Sequence, residues 1–316
     1  MRLATIQGGG RDGRLVKVSR DGRHCADATG IAPTLQDAME RWAEVAPALA
    51  ALPEGTAPLD SSALRAPLPR AWQWLDGSAY RSHGELMDQM LGIKAERTGR
   101  PLMYQGVSDR FYGPTEDVVM AGEDLGIDFE GEFGVIVDAV PMGTPAADAM
   151  KHIRLVVQIN DWSLRTLAGP EMKTGFGWVQ AKPPCSMAPF AVTPDELGGQ
   201  WRNGRVCADL EVQWNGKRFG NANGEPMEFG FHELVAHAAR TRALVAGTII
   251  GSGTVSNANF REIGSSCIAE RRGIEVVDEG AAKTAFMKFG DRVRMEAHLA
   301  DGSAPFGAID QRVVAP

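Results

Sequence analysis

Cysteine is scarce and scattered in this chain. Cys25, Cys185, Cys207 and Cys267 never form a Cys-x-x-Cys pair, which argues against a disulfide framework or a zinc knuckle and leaves reduced core thiols as the reading. There is no dense cluster of lysine and arginine, and the formal charge is -7, so nucleic acid and anionic membrane surfaces are poor partners. The first residues, Met1-Arg-Leu-Ala-Thr-Ile, carry no signal-type apolar stretch, and no window approaches the length of a membrane span. Cytoplasmic residence is therefore expected. No internal repeat or low-complexity segment is evident. What remains is a chain of 316 residues with 44% hydrophobic composition, long enough to bury a large core, with small molecules as the expected partners.

The N-terminal part reads as a hairpin, Leu3-Ala-Thr-Ile6 and Leu15-Val-Lys-Val18, joined through Gly8-Gly-Gly-Arg-Asp-Gly13. The triple glycine resembles a phosphate loop only superficially, because no helix with an apolar stripe follows it. Thr34 caps an expected helix that runs toward residue 51, where Pro53 and Gly55 break it. Pro58, Pro67 and Pro69 then mark a linker, giving a small N-terminal α/β unit over 1–66 and a larger domain over 67–316. The larger part shows short β-rich runs: Val118-Val-Met, Phe133 to Val137, Leu155 to Ile159, Leu210 to Trp214, Thr248-Ile-Ile250 and Arg292 to Ala297. One helix stands out, from about Glu228 to Ala246. Many strands and few helices predict a mainly β, α+β architecture and not a doubly wound sheet.

The segment Asp128-Phe-Glu130-Gly-Glu132 precedes the β-branched run Phe133-Gly-Val135-Ile136-Val137. In an extended backbone, alternate side chains share a face at about 6.5–7 Å spacing. Three carboxylates entering a core on one face either share protons or bind a cation. An all-oxygen donor set suits Mg²⁺, Ca²⁺ or Mn²⁺ better than zinc. The bland alternative is a solvated strand face, and the apolar residues on both sides weigh against it. His232 and His237 lie five residues apart, which rotates the second imidazole off the first one's helical face and excludes a zinc-protease pair. Trp72 and Trp74 read as packing residues.

Four further polar clusters punctuate the chain. Asp76 and His83 lie in Asp-Gly-Ser-Ala-Tyr-Arg-Ser-His, and Asn160-Asp161-Trp162-Ser163-Leu164-Arg165 ends an apolar run. Lys182 precedes two prolines that stiffen its loop, and Gly251-Ser-Gly-Thr254 is small enough for backbone to approach a ligand. Together with Tyr104-Gln-Gly106 and the Glu-x-Glu pair, the order and spacing of these pieces over roughly 70–300 resemble the fumarylacetoacetate hydrolase family. The resemblance implies that family's mixed β-sandwich roll and a homodimer, with a place in aromatic amino-acid catabolism. It implies that Glu130, Glu132 and Asp161 bind a divalent cation, with Asp76 as a fourth candidate and Asp128 as a neighbour. By the same resemblance His83 is the general base, Glu270 orients it, Arg165 and Lys182 stabilise negative charge, and Tyr104 and Thr254 contact substrate. Ala168 and Met172 depart from the pattern, standing where fumarylacetoacetase has a glutamine and a tyrosine that help hold its substrate.

The residue types fit one chemistry. A cation that polarises a 1,3-dicarbonyl or 2-oxo acid makes a carbon fragment a tolerable leaving group. An imidazole fixed by a carboxylate can take a proton from water, and cationic side chains can neutralise the oxyanion that results. The expected activity is cleavage of a carbon–carbon bond in an acylpyruvate or β-diketo acid. The alternatives are decarboxylation, hydration, dehydration or tautomerisation of a 2-oxo acid on the same site, or a ligand binder without catalysis.

Overall fold

The computed structural model describes residues 1–91 and 98–316. Two sheets form its body. The larger runs from the N-terminal hairpin through the centre of the chain and is mostly antiparallel, with a parallel pairing of Thr248–Gly251 and Trp74–Gly77. The hairpin strand Arg2–Ile6 pairs with Arg14–Val18 on one side and Ala191–Val192 on the other. The sheet therefore runs across the boundary expected near residue 66. Gly8, Gly9 and Gly10 form the hairpin turn with φ of 119°, 69° and 100°, a conformation that glycine adopts without steric cost. The smaller sheet is built around Asp209–Trp214 and Arg292–His298 and ends on a parallel pairing of Ala308–Val314 with Val118–Val119.

The central strand, Gly131–Val137, is buried along its whole length, because both of its faces are covered. Phe133, Val135 and Val137 pack with Leu210, Val212, Val293 and Met295 of the smaller sheet. Ile136 packs on the other side with Leu155, Val157 and Ile159 and with Leu35, Met39 and Leu49 of the N-terminal helices. Gln158 joins the two sheets: its amide donates to the Met295 carbonyl at 3.0 Å and its side-chain oxygen accepts from Ala297 N–H at 2.8 Å.

The expected helix after Thr34 forms as Leu35–Glu40 and Trp42–Ala51, interrupted at Arg41, and Thr34 accepts from Asp37 N–H at 3.0 Å. The helix expected over Glu228 to Ala246 is shorter, Phe231–Ala238. Beyond it Leu244 exchanges backbone hydrogen bonds with Val140, and this long-range pairing overrides the local helical preference. Three helices that frame the site were not evident in the sequence: Arg81–Leu91, Arg165–Thr174 and Ile268–Glu279. Each carries an internal glycine or proline, Gly84, Gly169 with Pro170, and Gly273, which masks helical propensity. Among the described residues no helix is long and apolar enough to cross a membrane.

Candidate active site

Sheet register gathers the acidic residues. Within the larger sheet Glu132 pairs with Ile159 and Gly131 with Asn160, and the register carries Asp161 opposite Glu130, two residues before Glu132, where Asp161 N–H donates to the Glu130 carbonyl at 3.0 Å. On the other side Gly134 pairs with Gly251, and Gly251 pairs with Asp76. Asp76, Glu132 and Asp161 thereby meet, all buried, each offering an oxygen within 4.8 Å of the others. Asp76 Oδ1 accepts from Gly253 N–H at 3.0 Å. Asp161 Oδ2 accepts from Lys182 Nζ at 2.5 Å and Tyr104 OH at 2.6 Å, and its Oδ1 accepts from the Cys185 thiol at 2.8 Å. No donor reaches either oxygen of Glu132 among the described residues.

Burial first, and then mutual repulsion, push Asp76 and Glu132 well above the ordinary carboxylate range. Burial also raises Asp161, with Lys182 working against it. Two orphaned, buried carboxylate oxygens facing two further carboxylates are the environment that a hard divalent cation relieves. The residues therefore fit such an ion.

Glu130 is brought to the same cavity but turns to the cations. Its Oε2 accepts from Lys182 Nζ at 2.6 Å, and its Oε1 accepts from Arg165. Burial opposes its ionisation, yet Arg165 and Lys182 hold it below the usual carboxylate range. Asp128 Oδ2 accepts from Arg165 Nε at 2.7 Å, and its two oxygens take the first backbone N–H groups of the Ile268–Glu279 helix, Ile268 at 2.7 Å and Ala269 at 2.9 Å. The carboxylate thus satisfies donors that every helix start leaves unpaired, and it fixes Arg165 and that helix together. Five carboxylates, Asp76, Asp128, Glu130, Glu132 and Asp161, face two fixed cations, Arg165 and Lys182.

His83, on the Arg81–Leu91 helix, places Nδ1 2.8 Å from Glu270 Oε2 on the Ile268–Glu279 helix. The two helices pack through Leu86 and Ile274. Glu270 is fully buried and His83 lines the cavity. Because Nδ1 is engaged, Nε2 is the nitrogen left for chemistry. The cavity, about 600 Å³, is also lined by Asp76, Tyr104, Glu130, Glu132, Arg165, Lys182 and Thr254. Asp161 stands behind it as the partner of Tyr104 and Lys182.

One contributor, Trp178, had no usable signal in the sequence, and Gly251 was legible only as a place where backbone could approach a ligand. Trp178 packs edge-on against Tyr104 at 4.9 Å between ring centroids, and its Nε1 donates to the Ala168 carbonyl at 3.1 Å. Gly251 permits the close approach of two site residues, since a Cβ there would lie 2.3 Å from both Asp76 Oδ1 and the Trp74 ring. Gly251→Ala is expected to displace Asp76, destabilise the fold by about 1–3 kcal/mol through overpacking, and weaken Mn²⁺ binding. Thermal melts and calorimetric titration check this, and unchanged values for both would contradict the packing described.

Residues 73–314 match the family model described as fumarylacetoacetate (FAA) hydrolase C-terminal, and residues 1–70 match fumarylacetoacetase N-terminal domain 2. The chain is 26% identical over 181 residues to 2,4-didehydro-3-deoxy-L-rhamnonate hydrolase from Sphingomonas sp. (strain SKA58), covering 56% of this chain and 59% of that protein. It is 24% identical over 162 residues to the mitochondrial oxaloacetate tautomerase FAHD2A of Homo sapiens, covering 49% and 48%. The matched stretches thus span about half the length of these curated relatives. The fold is that of maleylpyruvate hydrolase from Sphingobium sp. SYK-6, solved in complex with manganese(II) and pyruvate. That likeness has a TM-score of 0.68 at 18% identity and covers 100% of this chain and 99% of that one.

Proposed function

Since the chain belongs to the fumarylacetoacetate hydrolase family, we propose that it is a divalent-cation-dependent hydrolase that cleaves a carbon–carbon bond in an acylpyruvate or related β-diketo acid. One observation carries the reading: Asp76 and Glu132 of the buried carboxylate trio and His83 of the imidazole–carboxylate dyad line the same cavity, with Asp161 and Glu270 directly behind them. Asp76, Glu132 and Asp161 would hold Mg²⁺ or Mn²⁺, with Glu130 beside them as a further oxygen donor. When bound, such an ion polarises the oxygens of a keto acid and draws charge toward them.

The chain's own groups do the rest. Glu270 holds the His83 ring so that Nε2 takes a proton from water, and the water oxygen bonds to the carbonyl carbon of the acyl group. The oxyanion that forms meets the Lys182 ammonium, which Asp161 and Glu130 keep charged despite its burial. The bond between that carbon and the neighbouring methylene then breaks. The methylene keeps the electron pair and receives a proton, leaving two carboxylic acid or keto acid fragments. Tyr104 and Thr254 line the space the substrate would fill.

A tautomerase activity is the second reading. The same imidazole can carry a proton between carbon and oxygen, and one relative is an oxaloacetate tautomerase. Incubation with Mn²⁺ and acylpyruvates, fumarylacetoacetate or oxaloacetate in ¹⁸O-water, followed by mass spectrometry, separates the two. Hydrolysis predicts two fragments with one ¹⁸O atom in the new carboxylate. Keto–enol exchange of oxaloacetate with no cleavage of any diketo acid would contradict it.

A further inference from the structure

The cavity changes character along the Arg165–Thr174 helix. Arg165, Ala168 and Met172 all line it, and positions i, i+3 and i+7 share one helical face. Arg165 sits among Asp128 and Glu130. At 1.5 Å rise per residue, Ala168 lies about 4.5 Å and Met172 about 10.5 Å farther along the helix axis. Trp178, Leu102 and Met103 are the other apolar side chains of the lining.

This wall is preformed. Trp178 is tied back to the Ala168 carbonyl, and the Glu171 carboxylate accepts from the consecutive N–H groups of Val179, Gln180 and Ala181 at 2.9–3.2 Å. The same segment leaves apolar surface in water: Met172 is 56% exposed, Phe176 97% and Val179 80%, and Leu102 is 73% exposed. Of these, Met172 and Leu102 line the cavity, and exposed apolar surface at a cavity wall marks a binding region. Among the described residues the basic side chains lining the cavity are those of His83, Arg165 and Lys182. The latter two already hold Asp128, Glu130 and Asp161.

We propose that the group carried beyond the reacting carbonyl is an uncharged alkyl or aryl chain, laid along Ala168, Met172 and Trp178. This rests on the hydrolase reading above and narrows its substrate class to keto acids with an apolar tail. Among the described residues no basic side chain beyond His83, Arg165 and Lys182 lines the cavity, so a second carboxylate laid against this apolar wall would be desolvated there without a cationic partner.

Calorimetric titration of the Mn²⁺-loaded protein with unreactive 2-oxo acids tests this. An alkyl-tailed acid is compared with its counterpart of equal length bearing a terminal carboxylate. The alkyl form is expected to bind at least tenfold tighter, and each added methylene to tighten binding by up to about fourfold. Met172→Lys, which keeps helical propensity, is expected to shift the preference toward the carboxylate-tailed acid by at least tenfold. Equal or tighter binding of the dicarboxylate by the wild type would overturn the inference. Turnover of the matching acylpyruvates is measured in parallel. Cleavage without tail preference overturns the tail assignment alone, and tail preference in binding without cleavage overturns only the hydrolase reading. Failure of both acids to bind overturns the two together.

Discussion

Glu132→Gln is expected to lower turnover by about a thousandfold and to remove high-affinity Mn²⁺ binding. The magnitude follows from the several kcal/mol that a bound cation contributes at a polarised oxygen, at 1.36 kcal/mol per tenfold. The amide keeps the side chain's shape in a fully buried position and removes one negative charge from the trio. The metal-free protein responds in the opposite direction. Burial and the neighbouring Asp76 and Asp161 raise the Glu132 pKa in the fold above its value in the unfolded chain. A raised carboxylate stabilises the fold fully only below its unfolded pKa, about 4.3, and that stability is lost as pH rises through the folded value. In the presence of chelator, Glu132→Gln is therefore expected to match wild type near pH 4 and to melt at a higher temperature than wild type at pH 8. Added Mn²⁺ reverses the order, because the wild type gains RT ln(1 + [Mn²⁺]/Kd), about 2.7 kcal/mol at a hundredfold excess over Kd. Melting curves at two pH values with and without Mn²⁺ check all of this. A variant that melts below wild type in chelator at pH 8 would show that Glu132 is already satisfied without a cation.

His83→Ala separates catalysis from binding. Removing a general base costs about 10²- to 10⁴-fold in kcat. Among the described residues His83 hydrogen-bonds Glu270 and no carboxylate of the trio, so Mn²⁺ affinity is expected to stay within about twofold. The ring's contact with the fully buried Glu270 makes a second readout necessary, because an alanine there leaves a buried carboxylate without its partner. His83→Gln, which can still donate to Glu270, is expected to recover stability without recovering turnover. Stopped-flow kinetics beside Mn²⁺ titration distinguishes these outcomes. Wild-type turnover in both variants would remove His83 from the chemistry and favour a ligand-binding role for the cavity.

The strands were legible because their apolar runs are rich in β-branched residues and bounded by polar or charged ones: Phe133 to Val137 and Leu155 to Ile159 fall inside observed strands. Local charge density exposed Glu130 and Glu132, but not their different surroundings. Glu130 is hydrogen-bonded by Arg165 and Lys182 whereas no donor reaches the Glu132 oxygens among the described residues, a distinction set by sheet register and the helix that Asp128 caps. The dyad is the clearest limit. His83 and Glu270 are 187 residues apart and lie on two helices whose glycines hide them, so only the resemblance to a family joined them. Trp178 and Gly251 act through contacts that no local pattern encodes: the Ala168 carbonyl of the Arg165–Thr174 helix, and the space beside Asp76 that a Cβ would fill.

Crystals grown with saturating Mn²⁺, with anomalous diffraction collected at the manganese edge, test the cation site directly. The expected result is one ion per chain bonded to oxygens of Asp76, Glu132 and Asp161 at about 2.0–2.6 Å, the range for hard divalent cations. An empty trio at saturating Mn²⁺, or an ion bound elsewhere, would contradict the account.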